Sequence, residues 1–188
     1  RGCRFCQAGM TYRPVRERPE DQIVSATIEG LAESGHNEVS LTSLSTTDHS
    51  QCARMLNSLN ASLGEQGIRV SIPSQRLDSF GIEMATAVAG GKRGGLTFAP
   101  EAGTQRLRDV INKNVTEENL ETAARNAFEL GWRRCKLYFM MGLPTETDED
   151  IVAIAAAAER VLEIGREAVG RGRKSGVSVS ISVLSLIH

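Results

Sequence analysis

Apolar residues recur at two different spacings along the chain, and stretches with the two spacings alternate. One helical face is formed by Ile23, Thr27, Ile28 and Leu31, and Gly35 ends this predicted helix. A second helical stripe consists of Cys52, Met55, Leu56, Leu59 and Leu63. Strand-like runs occur at "NEVSLTSLS", "IRVSIPS", "GLTFAP", "RCKLYFMMGLP" and "VSVSISV". The pattern predicts five strands that alternate with helices.

Three more helices complete the predicted alternation. They lie near residues 82–88, in "TEENLETAARNAFELG" with Thr116 as the N-cap, and at about residues 150–164. The last helix should direct its apolar side chains into the core: Ile151, Ile154, Ala158, Val161 and Leu162. Two polar stretches, "AGGKRGG" and "GRGRKSG", are predicted to be a turn and a surface loop.

Alternating units of this size predict an α/β fold with a parallel sheet, either open and doubly wound or closed into a barrel. Several polar residues, prolines and loop residues follow the predicted strands at their carboxyl ends: Ser43, Ser45, Pro73, Ser74, Arg76, Pro100, Glu101, Gly142, Leu143 and Pro144. Barrel enzymes place their sites at that end. Because 188 residues are fewer than the roughly 250 of a complete eight-unit barrel, we expect a partial barrel.

Composition narrows the class of protein. The chain is 40% hydrophobic with a net charge of −1, which favours one domain around one core and gives no global reason to expect nucleic acid. No apolar run approaches the length of a membrane span, and no signal-peptide pattern precedes the first predicted helix. We therefore predict a cytoplasmic protein with no membrane partner.

The closely spaced cysteines Cys3 and Cys6 allow three interpretations. A thioredoxin-type dithiol needs a preceding strand and a helix at its first cysteine, and Pro14 interrupts the segment that follows. A zinc site needs four ligands, whereas Cys52 and Cys135 lie in predicted core positions. Iron–sulfur ligation by thiolates of one loop is the third interpretation, and spacing alone does not decide among them.

The segment "RGCRFCQAG" resembles the last two cysteines of the radical SAM motif CxxxCxxC, with Phe5 directly before the last cysteine. The stretches "LTSLSTTDHS", "IPSQRLDSF", "LTFAPEAGTQRLRDVINKNVTEENL" and "KLYFMMGLPTETDED" are similar to bacterial radical SAM proteins that carry an upstream B12-binding domain. The resemblance implies that residues 1–188 are an incomplete core domain, a partial (β/α)6-type parallel barrel that lacks its first strand. It also implies a first cluster cysteine upstream of residue 1. The ending "LSLIH", residues 184–188, departs from the family and is expected to be a foreign tail.

The resemblance also implies an activity. Three thiolates would hold a 4Fe–4S cluster whose fourth iron binds S-adenosylmethionine, and one electron would cleave the cofactor into methionine and a 5′-deoxyadenosyl radical. A one-electron reductant of the flavodoxin or ferredoxin type is the implied partner. Cobalamin would enter only through a domain outside this chain.

Site residues follow from the same resemblance. Cys3 and Cys6 are the implied cluster ligands, and Phe5 and the Leu143 backbone are expected near the adenine. Ser43 and Ser45 occupy the place where many relatives carry a Gly-Gly-Glu turn that receives the methionine amino group.

Glu101 is expected toward the ribose; its alternative role is to favour the helix dipole at a helix N-terminus.

Two functions from different classes stay open at this point. The first is a radical SAM enzyme whose substrate is unknown, and the second is a non-catalytic iron–sulfur or redox module built on the CxxC pair. Basic residues crowd the cysteine segment: Arg1, Arg4, Arg13, Arg16 and Arg18. They suit an anionic substrate, RNA included, although no interleaved aromatics are present to stack bases.

Overall fold

The computed structural model describes residues 2–72, 76–89, 95–170 and 176–186, and within them five strands alternate with helices. The strands are β1 (Glu38–Ser40), β2 (Arg69–Ser71), β3 (Leu96–Glu101), β4 (Arg134–Met141) and β5 (Ser178–Ser185). The helices of the same residues are α1 (Ala8–Thr11), α2 (Glu20–Ser34), α3 (Cys52–Leu63), α4 (Ile82–Ala89), α5 (Gln105–Val110), α6 (Glu117–Glu129) and α7 (Asp148–Val169). Short 3-10 turns lie at Thr46–Asp48, Gly64–Gln66 and Leu77–Ser79.

The paired strands run parallel, as the alternation predicts. β1 pairs with β2, and β4 lies between β3 and β5 in a three-stranded sheet. Within the described ranges no ladder joins β2 to β3. The α/β class with parallel sheets is therefore confirmed, and the carboxyl ends of β3, β4 and β5 share one edge.

Two apolar cores support the two sheets. The larger one packs α4, α6 and α7 against the three-stranded sheet, with Phe98, Leu137 and Phe139 inaccessible to solvent. The smaller one packs α2 and α3 against β1 and β2. Cys52 lies in the smaller core and Cys135 in the larger one, which confirms their predicted core positions.

Helix termini follow the sequence closely in two places. Thr116 caps α6 through a capping box with Asn119, in which each side chain accepts from the other residue's backbone N–H. Gly35 ends α2 with a left-handed φ of 68°. The predicted N-cap and the predicted stop are both confirmed.

Three apolar residues of the predicted helical stripes and strand-like runs are exposed. Ile28 on α2 is 36% exposed and Ile151 on α7 is 38% exposed. α7 begins at Asp148, and the buried position of its first turn belongs to the Asp150 carboxylate, which turns Ile151 outward. Leu44 is 73% exposed because residues 41–46 form a loop held by side-chain hydrogen bonds instead of continuing β1.

The end of β3 also differs from the prediction. Pro100 does not end the strand, which continues to Glu101 with an irregular register between Phe98 and Glu101. A proline cannot donate to the ladder, which accounts for the irregularity. The short helix α5 follows, capped by Thr104, whose hydroxyl accepts from the Leu107 N–H at 3.2 Å. Periodicity did not predict α5, since six residues are too few for a helical stripe.

Some predictions fall outside the described residues. These concern Arg1, Pro73, Ser74 and most of the two polar stretches at 89–95 and 170–176. At the other end, β5 pairs with β4 as far as Ser185, and the Leu186 N–H donates to the Met141 carbonyl at 2.8 Å. Residues 184–186 thus complete the sheet edge, whatever their origin. In the described part of the chain, no helix combines the length and apolar character needed to cross a membrane.

Candidate cofactor site

Cys3 and Cys6 lie on one tight turn that precedes α1. The Cys6 N–H donates to the Cys3 carbonyl at 3.1 Å, so both thiols leave the same short loop, which we call the cysteine loop (residues 2–7). Cys3 is buried, Cys6 is half-buried, and both thiols are free. Two free thiols on one loop are a suitable donor set for iron in an iron–sulfur cluster.

The cysteine loop is fastened to the end of α5 by three hydrogen bonds. The Arg4 N–H donates to the Ile111 carbonyl at 2.9 Å, and the Arg4 guanidinium donates to the Val110 carbonyl at 2.6 Å. The Asn112 amide donates to the Gly2 carbonyl at 2.7 Å. These bonds bring the cysteines beside the residues that follow β3.

Glu101 forms an ion pair with Lys113 at this place. The Lys113 ammonium donates to Oε1 of Glu101 at 2.8 Å, and the two side chains are only 8% and 15% exposed, respectively. Glu101 has a φ of 72°, an uncommon conformation for a residue with a side chain. Because Thr104 caps α5, Glu101 does not serve as its N-cap.

Phe5 and Leu143 complete the same region. Leu143 is buried in a small apolar cluster with Ala102, Leu107 and Ile111, and Phe5 packs against that cluster. The Lys113 ammonium lies 5.9 Å from the centroid of the Phe5 ring. The structure thus brings together five of the seven predicted site residues: Cys3, Cys6, Phe5, Glu101 and Leu143.

Ser43 and Ser45 lie on the loop after β1, and their hydrogen bonds stay within that loop. The Ser43 hydroxyl pairs with the Thr46 hydroxyl at 3.1 Å and accepts from the Ser45 N–H at 3.2 Å. The Ser45 hydroxyl is buried, and the residues that the structure describes offer it no hydrogen-bond partner. A buried polar atom of this kind usually has a partner, and a bound ligand is one way to supply it.

Arg76 connects the loop after β1 with the cysteine side of the site. Its guanidinium donates to Asp78 at 3.0 Å, lies 3.9 Å from the Asp48 carboxylate, and reaches the Lys113 carbonyl at 3.5 Å. Burial opposes its charge, but Asp78 first, then Asp48 and Cys3, raise the pKa of Arg76 above its ordinary value.

Two of these cations illustrate what the sequence does and does not reveal. The sequence predicts that Arg76 follows a strand but gives it no role, and it does not single out Lys113. The signal for Lys113 is its position between Asn112 and Asn114, which both have a φ of 54°. Asparagine tolerates that conformation better than most residues, so "NKN" marks a tight turn.

The other two thiols are poorly suited to ligate a metal. Burial raises the pKa of Cys52 to about 11 and that of Cys135 to about 12. Metal ligation needs the thiolate, which burial disfavours at both positions. Among the residues that the structure describes, no group of three or more His, Cys, Asp or Glu side chains could hold a metal ion. Of the four thiols, those of Cys3 and Cys6 are thus the two that burial in an apolar core does not disfavour as metal ligands.

The amino-acid sequence is similar to those of known proteins. The family model of the Radical SAM superfamily matches residues 1–158. An uncharacterized protein of Methanocaldococcus jannaschii is 35% identical over 161 residues, which cover 86% of this chain and 35% of that protein. An uncharacterized protein of Methanopyrus kandleri is 25% identical over 181 residues, covering 89% of this chain and 34% of that protein. The chain spans about a third of the length of these curated relatives.

Solved structures share the fold at low sequence identity. Coproporphyrinogen III oxidase HemN of Escherichia coli, a radical SAM enzyme, aligns with all of this chain and 42% of its own, with a TM-score of 0.66 and 16% identity. The methyltransferase TsrM of Kitasatospora setae, with cobalamin and a [4Fe-4S] cluster bound, has a TM-score of 0.66 at 18% identity over 89% of this chain and 29% of its own. SuiB of Streptococcus suis, bound to the precursor peptide SuiA, has a TM-score of 0.61 at 14% identity over 98% of this chain and 36% of its own.

Proposed function

The chain belongs to the Radical SAM superfamily, and from this premise we propose that it is the core of an enzyme that cleaves S-adenosylmethionine reductively. The observation that carries the proposal is the attachment of the cysteine loop to the end of α5, which sets Cys3 and Cys6 beside Phe5, Glu101 and Leu143. Membership in the superfamily implies a 4Fe–4S cluster and S-adenosylmethionine. Reductive cleavage by this chain is the proposal.

Cys3 and Cys6 would supply two thiolates to the cluster. The superfamily motif has a third cysteine, which we expect before Cys3 in the polypeptide, because Cys52 and Cys135 are buried in the two cores. When bound, the cluster and S-adenosylmethionine supply an electron and a 5′-deoxyadenosyl radical that removes a substrate hydrogen.

The protein's own contribution is to bind and orient. Phe5 and the Leu143 backbone would contact the adenine, supported by the apolar cluster of Ala102, Leu107 and Ile111, which also helps exclude water. The Glu101 carboxylate has the acceptor oxygens that ribose hydroxyls require.

Ser43 and Ser45 would receive the methionine amino group. Of the two, the Ser45 hydroxyl is the better candidate, because it is buried and has no hydrogen-bond partner among the described residues. The amino group would supply the missing hydrogen bond.

We further propose that the two parallel sheets are parts of one partial (β/α)6-type barrel that lacks its first strand, within a core domain of residues 1–188. Support comes from the parallel pairing within both sheets and from Arg76, whose contacts with Asp48, Asp78 and Lys113 connect the loops that follow three strands. Polar residues at the carboxyl ends of parallel strands are typical of barrel enzymes.

The proposed electron donor is a small acidic protein of the flavodoxin or ferredoxin type. Arg13, Arg16 and Arg18 follow Cys6 closely in sequence, and within the described residues none of them has a carboxylate within 4.0 Å. Unpaired positive charge beside a redox site favours the approach of an acidic partner. Reduction should therefore slow as ionic strength rises.

The cofactor chemistry does not determine the substrate. TsrM binds cobalamin and SuiB binds a peptide, and an RNA substrate also stays open, so the fold does not select one. Cobalamin would require a further domain of the same protein. We retain the cytoplasm as the predicted compartment.

The test compares cysteine variants of the full-length protein after anaerobic reconstitution. We expect Cys3→Ala and Cys6→Ala to lose most of the iron and all formation of methionine and 5′-deoxyadenosine. The matched controls Cys52→Ala and Cys135→Ala should keep both. A wild-type protein that holds a cluster but neither binds nor cleaves S-adenosylmethionine would instead support the non-catalytic iron–sulfur module.

A further inference from the structure

Lys113 is a buried cation to which the proposed function assigns no role. It is 7% exposed, and its N–H donates to the Arg108 carbonyl at 2.9 Å, which fixes its backbone at the end of α5. Its neighbours Asn112 and Asn114 hold the left-handed conformation on both sides. Such strained residues persist where the surroundings determine them, often at functional sites.

The ammonium of Lys113 contacts two proposed cofactor residues at once. It donates to Glu101 at the carboxyl end of β3, and it lies over the face of the Phe5 ring. Phe5 stands between Arg4 and Cys6 in the cysteine loop, so one charge joins that loop to the sheet edge. The preceding residue adds a third link, because the Asn112 side-chain amide donates to the Gly2 carbonyl.

A buried ammonium normally costs free energy, and the ion pair with Glu101, the one that Lys113 forms among the described residues, compensates that cost only in part. The face of the Phe5 ring adds a further favourable contact to the charge. A methionine of similar volume would avoid the desolvation cost, so packing alone gives no reason for a lysine here.

We propose that Lys113 is a positioning residue of the cofactor site, which orients Glu101 for S-adenosylmethionine and orders the cysteine loop through Phe5. This inference rests on the proposed function for its ligand, but its effect on the loop does not depend on any ligand. Loss of the ammonium should loosen the cysteine loop, weaken S-adenosylmethionine binding and lower the reduction potential of a bound cluster, since a nearby positive charge favours the reduced form.

The experiment uses three variants of the full-length protein. Lys113→Met removes the charge, and Lys113→Arg keeps it. Arg106→Met is the matched control, because Arg106 is also a cation near α5, but its side chain pairs with Asp150 on α7 and is 49% exposed.

The first measurement is hydrogen exchange of residues 2–7 in the cluster-free protein, normalised to the amides of α6. We expect Lys113→Met to speed exchange in this loop about tenfold, as the loss of one partly buried contact does. Lys113→Arg should stay near wild type, and Arg106→Met should leave the loop unchanged. Equal loop exchange in Lys113→Met and wild type, or an equal acceleration in Arg106→Met, would overturn the ordering role.

The second measurement is S-adenosylmethionine binding by calorimetry and cluster potential by redox titration, both after reconstitution. Lys113→Met should weaken binding about tenfold or more, as the loss of a group that orients a binding residue does, and should make the potential more negative. Unchanged binding and potential would overturn the cofactor role. A wild-type protein that binds no S-adenosylmethionine contradicts the proposed function instead, while loop exchange still decides the role of Lys113 in the loop.

Discussion

Residues 101–117, which join β3 to α6, have two sides that hold charge in different ways. On the side toward α6 and α7, Arg108 is 1% exposed and donates to the carbonyls of Ala102, Gly103 and Val115 at 3.0, 3.2 and 3.2 Å. On the side toward the cysteine loop, the Lys113 ammonium contacts the Glu101 carboxylate and the Phe5 ring. Among the described residues, five hydrogen bonds saturate the Arg108 guanidinium, whereas the Lys113 ammonium donates one, to Glu101.

The backbone packing shows the same difference. On the helix side, a Cβ at Gly103 would lie 2.5 Å from the Asp150 carbonyl oxygen and 2.6 Å from the Ile154 nitrogen, so the connection packs directly against α7. We therefore expect the helix side to determine stability and the loop side to determine binding, and four substitutions test this expectation.

The largest expected effect is on the helix side. Arg108→Met leaves three buried carbonyls without a donor and removes the ion pair with Glu117, so we expect the free energy of unfolding to fall by about 3–5 kcal/mol. Urea unfolding measures this loss. Glu117→Gln is the control, because the Glu117 side chain is 60% exposed and its loss should cost less than about 1 kcal/mol. Similar losses for both variants would contradict the saturated helix side.

The second-largest expected effect on the free energy of unfolding is that of Asp150, and it depends on pH. Burial alone would raise its pKa, but hydrogen bonds from Thr104, Thr147 and Arg106 hold the pKa at about 2, below the ordinary 3.8. The ionised carboxylate therefore stabilises the fold above pH 3.8, and this contribution is lost as the pH falls toward about 2.

Asp150→Asn should accordingly lower the free energy of unfolding by about 2 kcal/mol at pH 7, and the difference from wild type should vanish near pH 2. Urea unfolding at several pH values measures both. Glu149→Gln removes an exposed carboxylate from the same helical turn and is the control. A difference that does not depend on pH would contradict the assigned pKa.

Glu101→Gln belongs to the loop side and should separate binding from stability. The amide can still accept from Lys113 but no longer offsets its buried charge, so we expect the free energy of unfolding to fall by about 1–2 kcal/mol, less than for Arg108→Met. Binding of S-adenosylmethionine to the reconstituted full-length protein should weaken about 10- to 100-fold, because hydrogen bonds to a charged acceptor contribute more than neutral ones. Unchanged affinity together with a loss of stability would assign Glu101 a structural role.

The smallest expected effect tests the outward position of Ile151. Ile151→Ser should change stability by less than about 0.5 kcal/mol, as exposed substitutions do. Ile154→Ala, one turn further along α7 and 6% exposed, should cost about 2 kcal/mol or more. Thermal unfolding of the two variants side by side decides whether the register of α7 is as described.

Periodic patterns predicted the long elements well because burial of a stripe specifies them. Cys52, Met55, Leu56, Leu59 and Leu63 on α3 are all buried, as expected. The fold of the site was harder to predict. α5 is too short for a stripe. The buried residue in the first turn of α7 is Asp150, whose partners Thr104 and Arg106 are more than forty residues away in sequence.

The site residues show the same limit. Cys3, Cys6 and Phe5 could be named because a motif carries them, and Glu101 and Leu143 because they follow strands. Lys113 could not, since its significance depends on Glu101 and Phe5, and the only local sign is the pair of asparagines around it.

The contrast between the cysteines has a practical consequence for chemical footprinting. Cys52 and Cys135 lie in the two cores with thiols that burial keeps protonated far above neutral pH, so an alkylating reagent should leave them unmodified while the fold is intact. Cys6 is half-buried on its turn and open to the reagent. Peptide mass mapping after brief alkylation can thus report two states of the protein. Protection of the cysteine loop indicates that a cluster is bound, and labelling of Cys52 and Cys135 indicates that the protein has unfolded.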